Sequence, residues 1–271
     1  MANHVTNRVT FTGNETEVVK MLSEIKGKEE DSFIDFNTFC PIPKELEGTV
    51  SPVKIISQKE YAEQEKKIAN GELTEQQKQW GLSRGITKKL SAEYQKKFGA
   101  DNWYDWQCAN WGTKWNAYDQ YSNGDNMIEF HTAWSTPYNA MVNLSNKYPT
   151  IEIFVEYADE DFGYNVGKYT ILNGVVINEE TPEGGSQEAL LIAMDINGNE
   201  EYYLTDYLCD NACDKEEEEL NEYALTLVQI AHDKAYLVDE YPKPILNKLI
   251  ELALADEQYE RVKIITDLLN K

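Results

Sequence analysis

The most constraining feature of this sequence is the strict alternation of residues 4–12, HVTNRVTFT, in which every second residue falls on the same side. Such a period of two is typical of a β-strand that buries one face. One side carries Val5, Asn7, Val9 and Phe11, and the other carries His4, Thr6, Arg8 and Thr10. The strand must therefore lie in a sheet that has one covered face and a second face that is more open to solvent.

A helix is predicted directly after this strand. Asn14 can act as its N-cap, and Glu17 follows three residues later, as in a capping box. Val18, Leu22 and Ile25 then recur at helical spacing and form one apolar face. The chain is expected to begin with a strand followed by a helix.

A β-hairpin, a second helix and a final strand are predicted from about residue 113 onward. The runs TKWNAYDQY and MIEFHTAW flank the turn SNGDN, and the second run places Ile128, Phe130, Thr132 and Trp134 on one side. A helix begins near Thr136, and TIEIFVEY is the last strand of the set. The order strand, helix, hairpin, helix, strand predicts an α+β fold with a ferredoxin-like antiparallel sheet and helices on one face.

An insertion interrupts this order after the first helix. The run SFIDFNTF is expected to be a short strand, and a proline-containing loop follows it. The next residues are rich in Glu, Lys, Gln and Ala, which favour helices. We therefore predict a helical insertion at about residues 41–110.

The end of the chain has a different pattern. Asn173 with Gly174 and Asn197 with Gly198 each separate two apolar runs, so two further β-hairpins are predicted. Helical patterns then follow to the C-terminus. We predict a ferredoxin-like domain over residues 1–183 and an acidic region of hairpins and helices over residues 184–271.

Residues 102–121, NWYDWQCANWGTKWNAYDQY, hold four of the six tryptophans. A hydrophobic core and a ligand-binding wall are both possible, and we favour the core because no basic groove accompanies these residues. Lys114 between two tryptophans keeps the second interpretation open, because a cation beside aromatic rings suits an anionic ligand. The candidate ligand-binding residues on the open face are Arg8, Lys114, Trp115, Tyr118 and His131.

No catalytic residue, cofactor or metal site is predicted. The chain has three histidines, and none lies in a nucleophile, phosphate-loop or zinc-protease motif. Asp195, Asn197 and Asn199 alternate like calcium ligands, but the glycine and the final acidic ligand do not fit the EF-hand spacing. Cys209 and Cys213 lack a second cysteine pair for zinc. An enzyme is left open, and the balance of these observations is against one.

The net charge of -23 is concentrated late in the chain, since residues 188–271 contain 20 acidic and 7 basic residues. Nucleic acid is not expected as a partner, because it requires clustered Lys and Arg. We expect a protein partner that contacts this acidic half. The N-terminus lacks a signal-peptide core and no apolar run could span a bilayer, so a cytoplasmic protein without membrane contact is expected.

Four sequence blocks, NHVTNRVTFTG, FIDFNTFCPIPKEL, NWGTKWNAYD and FHTAWSTP, resemble the YubB-like proteins of phages, plasmids and other mobile elements. The resemblance covers roughly residues 1–160 and implies a ferredoxin-like N-terminal domain without an established function. It supplies no catalytic residues. The leading hypothesis is a non-enzymatic, protein-binding role in counter-defence or regulation. The alternative is a small anionic-ligand-binding domain that uses the open face of the sheet.

Overall fold

A computed structural model of the chain describes residues 2–72 and 83–197, together with Lys263 and Thr266. Six strands and six helices are present in this part of the chain. The strands are β1 (His4–Thr12), β2 (Tyr118–Ser122), β3 (Met127–Ala133), β4 (Glu152–Asp159), β5 (Val166–Leu172) and β6 (Val175–Glu180). The helices are α1 (Glu15–Ile25), α2 (Gln58–Ala69), α3 (Lys88–Phe98), α4 (Trp103–Trp111), α5 (Tyr138–Lys147) and α6 (Gln187–Asn197), with a short 3-10 helix at Phe36–Thr38.

The strands form one antiparallel sheet in the order β2-β3-β1-β4-β5-β6. The first four positions have the ferredoxin-like order, in which the first strand lies between the third and the fourth. The two added strands are joined by Asn173 and Gly174, both with positive φ, as a tight hairpin turn requires. The predicted α+β ferredoxin-like fold and the first of the two predicted hairpins are confirmed.

The pairing of β1 with β3 separates the two faces of the sheet. The register places Asn7 opposite Phe130 and Arg8 opposite Glu129. Along β1 the buried residues are Val5, Asn7, Val9 and Phe11, as predicted. The residues of the other face, His4, Thr6, Arg8 and Thr10, are only partly buried. The covered face packs against helices, because α1 buries Val18, Met21 and Ile25, and α5 buries Ala140, Met141 and Leu144.

An aromatic core attaches the insertion to the sheet. The ring of Phe36 makes edge-to-face contacts with Phe130 of β3 at 5.9 Å and with Trp111 of α4 at 5.6 Å between centroids. Trp106 contacts Trp111 in turn, and the indole Nε1 of Trp111 donates to the carbonyl oxygen of Cys40 at 2.8 Å. Two of the clustered tryptophans are therefore core residues, as expected.

Three local predictions were wrong. Residues 32–39 form no strand, because Asp35 caps a 3-10 helix there. The strand expected from residue 113 begins only at Tyr118. Residues 187–197, expected in a second hairpin, form α6, in which Ser186 Oγ accepts a hydrogen bond from the amide of Ala189. A short apolar run fits a buried helix and a buried strand equally well, and here the cap decides for the helix.

The described residues divide into two compact units. One comprises Met1–Val155 and Thr170–Asn178, and the other begins with Glu156–Tyr169 and resumes at Glu179. The predicted boundary near residue 183 stays a prediction, since most of residues 184–271, including the predicted terminal helices, lie outside the described residues. No helix in the described part of the chain is long and apolar enough to cross a membrane.

Two glycines that end consecutive helices offer a matched test of this packing. Gly112 follows α4 with φ +83°, and a Cβ added there would lie 3.1 Å from the amide nitrogen of Tyr138. Gly99 follows α3 with φ +76°, but nothing lies within 4 Å of its added Cβ.

We expect Gly99→Ala to lower the free energy of unfolding by about 1 kcal/mol through backbone strain alone. Gly112→Ala should cost about 2 to 3 kcal/mol, because a steric clash adds to that strain. Equal losses in urea unfolding would show that the contact between α4 and α5 is not tight at Gly112.

Candidate functional site

An aromatic and histidine cluster lies on the open face of the sheet where β1, β2 and β3 meet. The Nδ1 of His4 lies 2.7 Å from the hydroxyl of Tyr118, and that hydroxyl donates to the carbonyl of Thr132 at 3.3 Å. Because the hydroxyl has a single proton, it accepts from His4 Nδ1–H when it donates to the carbonyl. The ring of His131 contacts both Tyr118 and His4, and its Nδ1 lies 3.6 Å from Asp119.

Lys114 lies between two exposed tryptophan rings beside this cluster. Its Nζ is 4.7 Å from the ring centroid of Trp115 and 4.6 Å from that of Trp134. Both indoles remain accessible, with 38% of Trp115 and 43% of Trp134 exposed. Trp115 also contacts Tyr118 edge to face, which joins the lysine to the histidine cluster. We call Lys114, Trp115, Trp134, Tyr118, His4 and His131 the Trp-Lys surface.

Hydrogen bonds between two neighbouring loops position the lysine and the tryptophans. The hydroxyl of Thr113 donates to the carbonyl of Ala133, and the hydroxyl of Ser135 donates to the carbonyl of Gly112. The amide of Trp134 donates to the carbonyl of Asn3 at 2.9 Å. These bonds connect the residues before β2 to the residues after β3, so Lys114 and Trp134 are brought together by backbone geometry.

The backbone at Trp134 has an uncommon conformation. Its φ is +69°, in the left-handed region that bulky side chains rarely adopt. Asp119, at the irregular pairing of β2 with β3, also has a positive φ of +47°. Residues in such conformations cost free energy, persist only where their surroundings hold them, and often cluster at functional sites.

Four of the five predicted ligand-binding residues lie together: Lys114, Trp115, Tyr118 and His131. Arg8 lies on the same face of β1 but forms an ion pair with Glu129, with 3.2 Å between Nε and Oε2. The prediction omitted His4, although the alternation of β1 already placed it on the side of Arg8. It also omitted Trp134, because an alternating strand would have turned that residue toward the covered face. The positive φ at Trp134 ends the alternation, and its ring is exposed beside Lys114 instead of buried.

The two cysteines in the described part of the chain are not activated as nucleophiles. Burial raises the pKa of the Cys108 thiol on the neighbouring helix α4, and a hydrogen bond with Tyr104 offsets this only in part. Burial likewise raises the pKa of the Cys40 thiol. A thiol with a raised pKa is a poor nucleophile at neutral pH. Within the described residues, no three His, Cys, Asp or Glu side chains are placed to hold a metal ion.

The hydroxyl of Tyr118 is expected to stabilise this cluster. Tyr118→Phe removes the bonds to His4 and Thr132 and should lower the free energy of unfolding by about 1 kcal/mol in urea unfolding. Tyr121→Phe is the matched control, since Tyr121 lies on the same strand and is 58% exposed. The control should change stability little. Equal effects of the two variants would mean that the Tyr118 hydroxyl contributes no net stabilisation.

A match to a protein-family model agrees with the fold around this surface. Residues 110–206 match a family model described as the ferredoxin-like domain in Api92-like protein. No curated protein matches the chain significantly. A crystal structure of protein api92 from Yersinia pseudotuberculosis matches at 12% sequence identity with a TM-score of 0.38, over 69% of this chain and 100% of that chain. These matches do not test the resemblance to YubB-like proteins or an origin in a mobile element. Residues 110–206, which include Lys114, Trp115 and Trp134, are thus similar to the ferredoxin-like domain of Api92-like proteins.

Proposed function

We propose that this chain is a non-enzymatic binding protein that holds a small anionic ligand on the Trp-Lys surface. The observation that carries the proposal is the environment of Lys114. Its ammonium contacts two indole rings, and no carboxylate lies within ion-pair distance of it among the described residues. The positive charge of this lysine is therefore held in place without a counter-ion from those residues.

Aromatic rings position a cation without neutralising it. The attraction between an ammonium and an aromatic face contributes about 0.5 to 1 kcal/mol at an exposed site. A lysine that is already ordered loses less side-chain entropy when an anion binds. Lys114 thus differs from Lys20 and Lys89, which are mostly exposed and lie near glutamates on their own helices.

A titration with inorganic phosphate tests this proposal on the full chain. We expect Lys114→Ala to weaken phosphate binding by about ten- to a hundredfold, since a lost charge-assisted hydrogen bond is worth roughly 1.5 to 3 kcal/mol. Lys89→Ala is the matched control, and it should bind phosphate as the unchanged protein does. Tryptophan fluorescence or calorimetry gives the affinity. Equal affinities of the two variants would contradict an anion site at Lys114.

A second candidate function is protein binding by the acidic half of the chain, in counter-defence or regulation for a mobile element. The observation that favours it is the excess of 20 acidic over 7 basic residues in residues 188–271, including the four consecutive glutamates Glu216 to Glu219. Such a charge would attract a basic protein surface from a distance.

The full chain and a variant with all four of these glutamates changed to glutamine can be compared in a pull-down from host lysate. Partners held by this charge should be captured at low salt, lost at high salt and reduced by the substitution, because salt screens exposed charges. The Lys114→Ala variant is the control and should capture the same partners. If the capture of partners changes neither with salt nor with the glutamate substitutions, this candidate function is contradicted.

A further inference from the structure

We propose that the ligand of the Trp-Lys surface is an aromatic anion of the mononucleotide class, whose planar ring stacks on an indole while its phosphate pairs with Lys114. This inference rests on the proposed anion-binding function and adds a chemical class to it. It depends on a property of the tryptophans that binding of a bare anion would not need: their rings remain accessible while other aromatic side chains hold them.

Edge-to-face contacts with tyrosines hold the two indoles. Tyr118 meets Trp115 at 6.1 Å and 70° between ring planes, and Tyr104 meets Trp134 at 6.2 Å and 84°. Trp103 packs edge to face on Tyr104 in turn, at 5.8 Å and 84°. Because an aromatic side chain contacts each indole, the plane of each ring is held before any ligand arrives.

Two exposed tryptophans on either side of one cation make a surface that is both apolar and positive. Inorganic phosphate would use the ammonium and leave the indoles in water. A planar ring would cover indole surface, and stacking of this kind accepts any base because every base has an aromatic face. A ligand that combines a ring with a phosphate therefore matches both parts of the surface.

Neighbouring acidic groups disfavour a phosphate at the histidines, so Lys114 is the expected site of the phosphate. Asp119 lies 3.6 Å from His131 Nδ1 and is itself 74% exposed, so an anion beside His131 would meet a carboxylate. Arg8 on the same face is paired with Glu129. Lys114 is the cation of this surface with aromatic contacts and no carboxylate within ion-pair distance among the described residues. A single phosphate fits this arrangement better than a nucleic acid strand, which needs several basic residues along its backbone.

Three titrants distinguish the contribution of the ligand's aromatic ring to the affinity from that of its phosphate charge. They are adenosine 5′-monophosphate, adenosine and inorganic phosphate, each added to the full chain. We expect the monophosphate to bind at least tenfold more tightly than either adenosine or phosphate and to change tryptophan fluorescence. Trp115→Leu should weaken the binding of both the monophosphate and phosphate, because its ring helps to order Lys114, but the loss should be several-fold greater for the monophosphate, which also loses a stacking partner. Tyr121→Leu, which removes another exposed aromatic ring of the same unit, should change neither affinity.

The outcomes distinguish this inference from the function on which it rests. If phosphate binding depends on Lys114 but the monophosphate binds no more tightly than phosphate, the mononucleotide class is wrong and the anion site stands. If Trp115→Leu weakens phosphate and monophosphate equally, the ring does not stack on Trp115, and Trp134→Leu repeats the test on the other indole. The inference is overturned if that variant also affects both titrants equally. If no titrant binds in a way that depends on Lys114, both the inference and the proposed function fail.

Discussion

The antiparallel pairing of β1 with β3 is the interaction on which the fold and the candidate site both depend. A hydrogen bond on the covered face favours one register, because the amide Nδ2 of Asn7 donates to the hydroxyl of Thr132 at 2.8 Å. Asn7 and Thr132 are both fully buried, so another register would leave their polar groups without these partners. A slip by one residue would also exchange the faces of the strand and move His4 and Arg8 into the apolar layer.

The same pairing determines which tryptophans belong to the core and which belong to the surface. Phe130 points to the covered face, where Phe36 packs on it and Trp111 packs on Phe36, which attaches the insertion. At the end of β3 the backbone leaves the strand, and Trp134 turns outward to meet Lys114. The tryptophan-rich segment therefore has two roles: its helix fills the core, and the loop after that helix forms part of the open surface.

The parts of the fold that follow from local periodicity could be predicted from the sequence. Alternation in β1 gave both of its faces, and the Asn173 and Gly174 pair gave the hairpin of β5 and β6, because these signals depend on adjacent residues. The apolar run of α6 could not be assigned in this way, since its residues are buried on most sides and lack a clear period.

The candidate site was predictable only in part, because some of its contacts join residues that are distant in sequence. Four of its residues were found because they lie near each other in sequence or on one side of a strand. The contact between Lys114 and Trp134 joins two loops that are twenty residues apart, and it depends on a positive φ that no local pattern indicates. His4 could have been included, because the alternation that exposes Arg8 also exposes His4.

The site proposed for the anion lies where Lys114 is held between Trp115 and Trp134. The most direct measurement is a series of ¹H–¹⁵N spectra of the full chain during a phosphate titration, with the indole Nε1–H signals assigned from Trp115→Phe and Trp134→Phe. We predict saturable shifts of these two signals, while those of the buried Trp106 and Trp111 stay in place. Unchanged signals of Trp115 and Trp134 at saturating phosphate, or shifts confined to other tryptophans, would show that phosphate does not bind between these two rings.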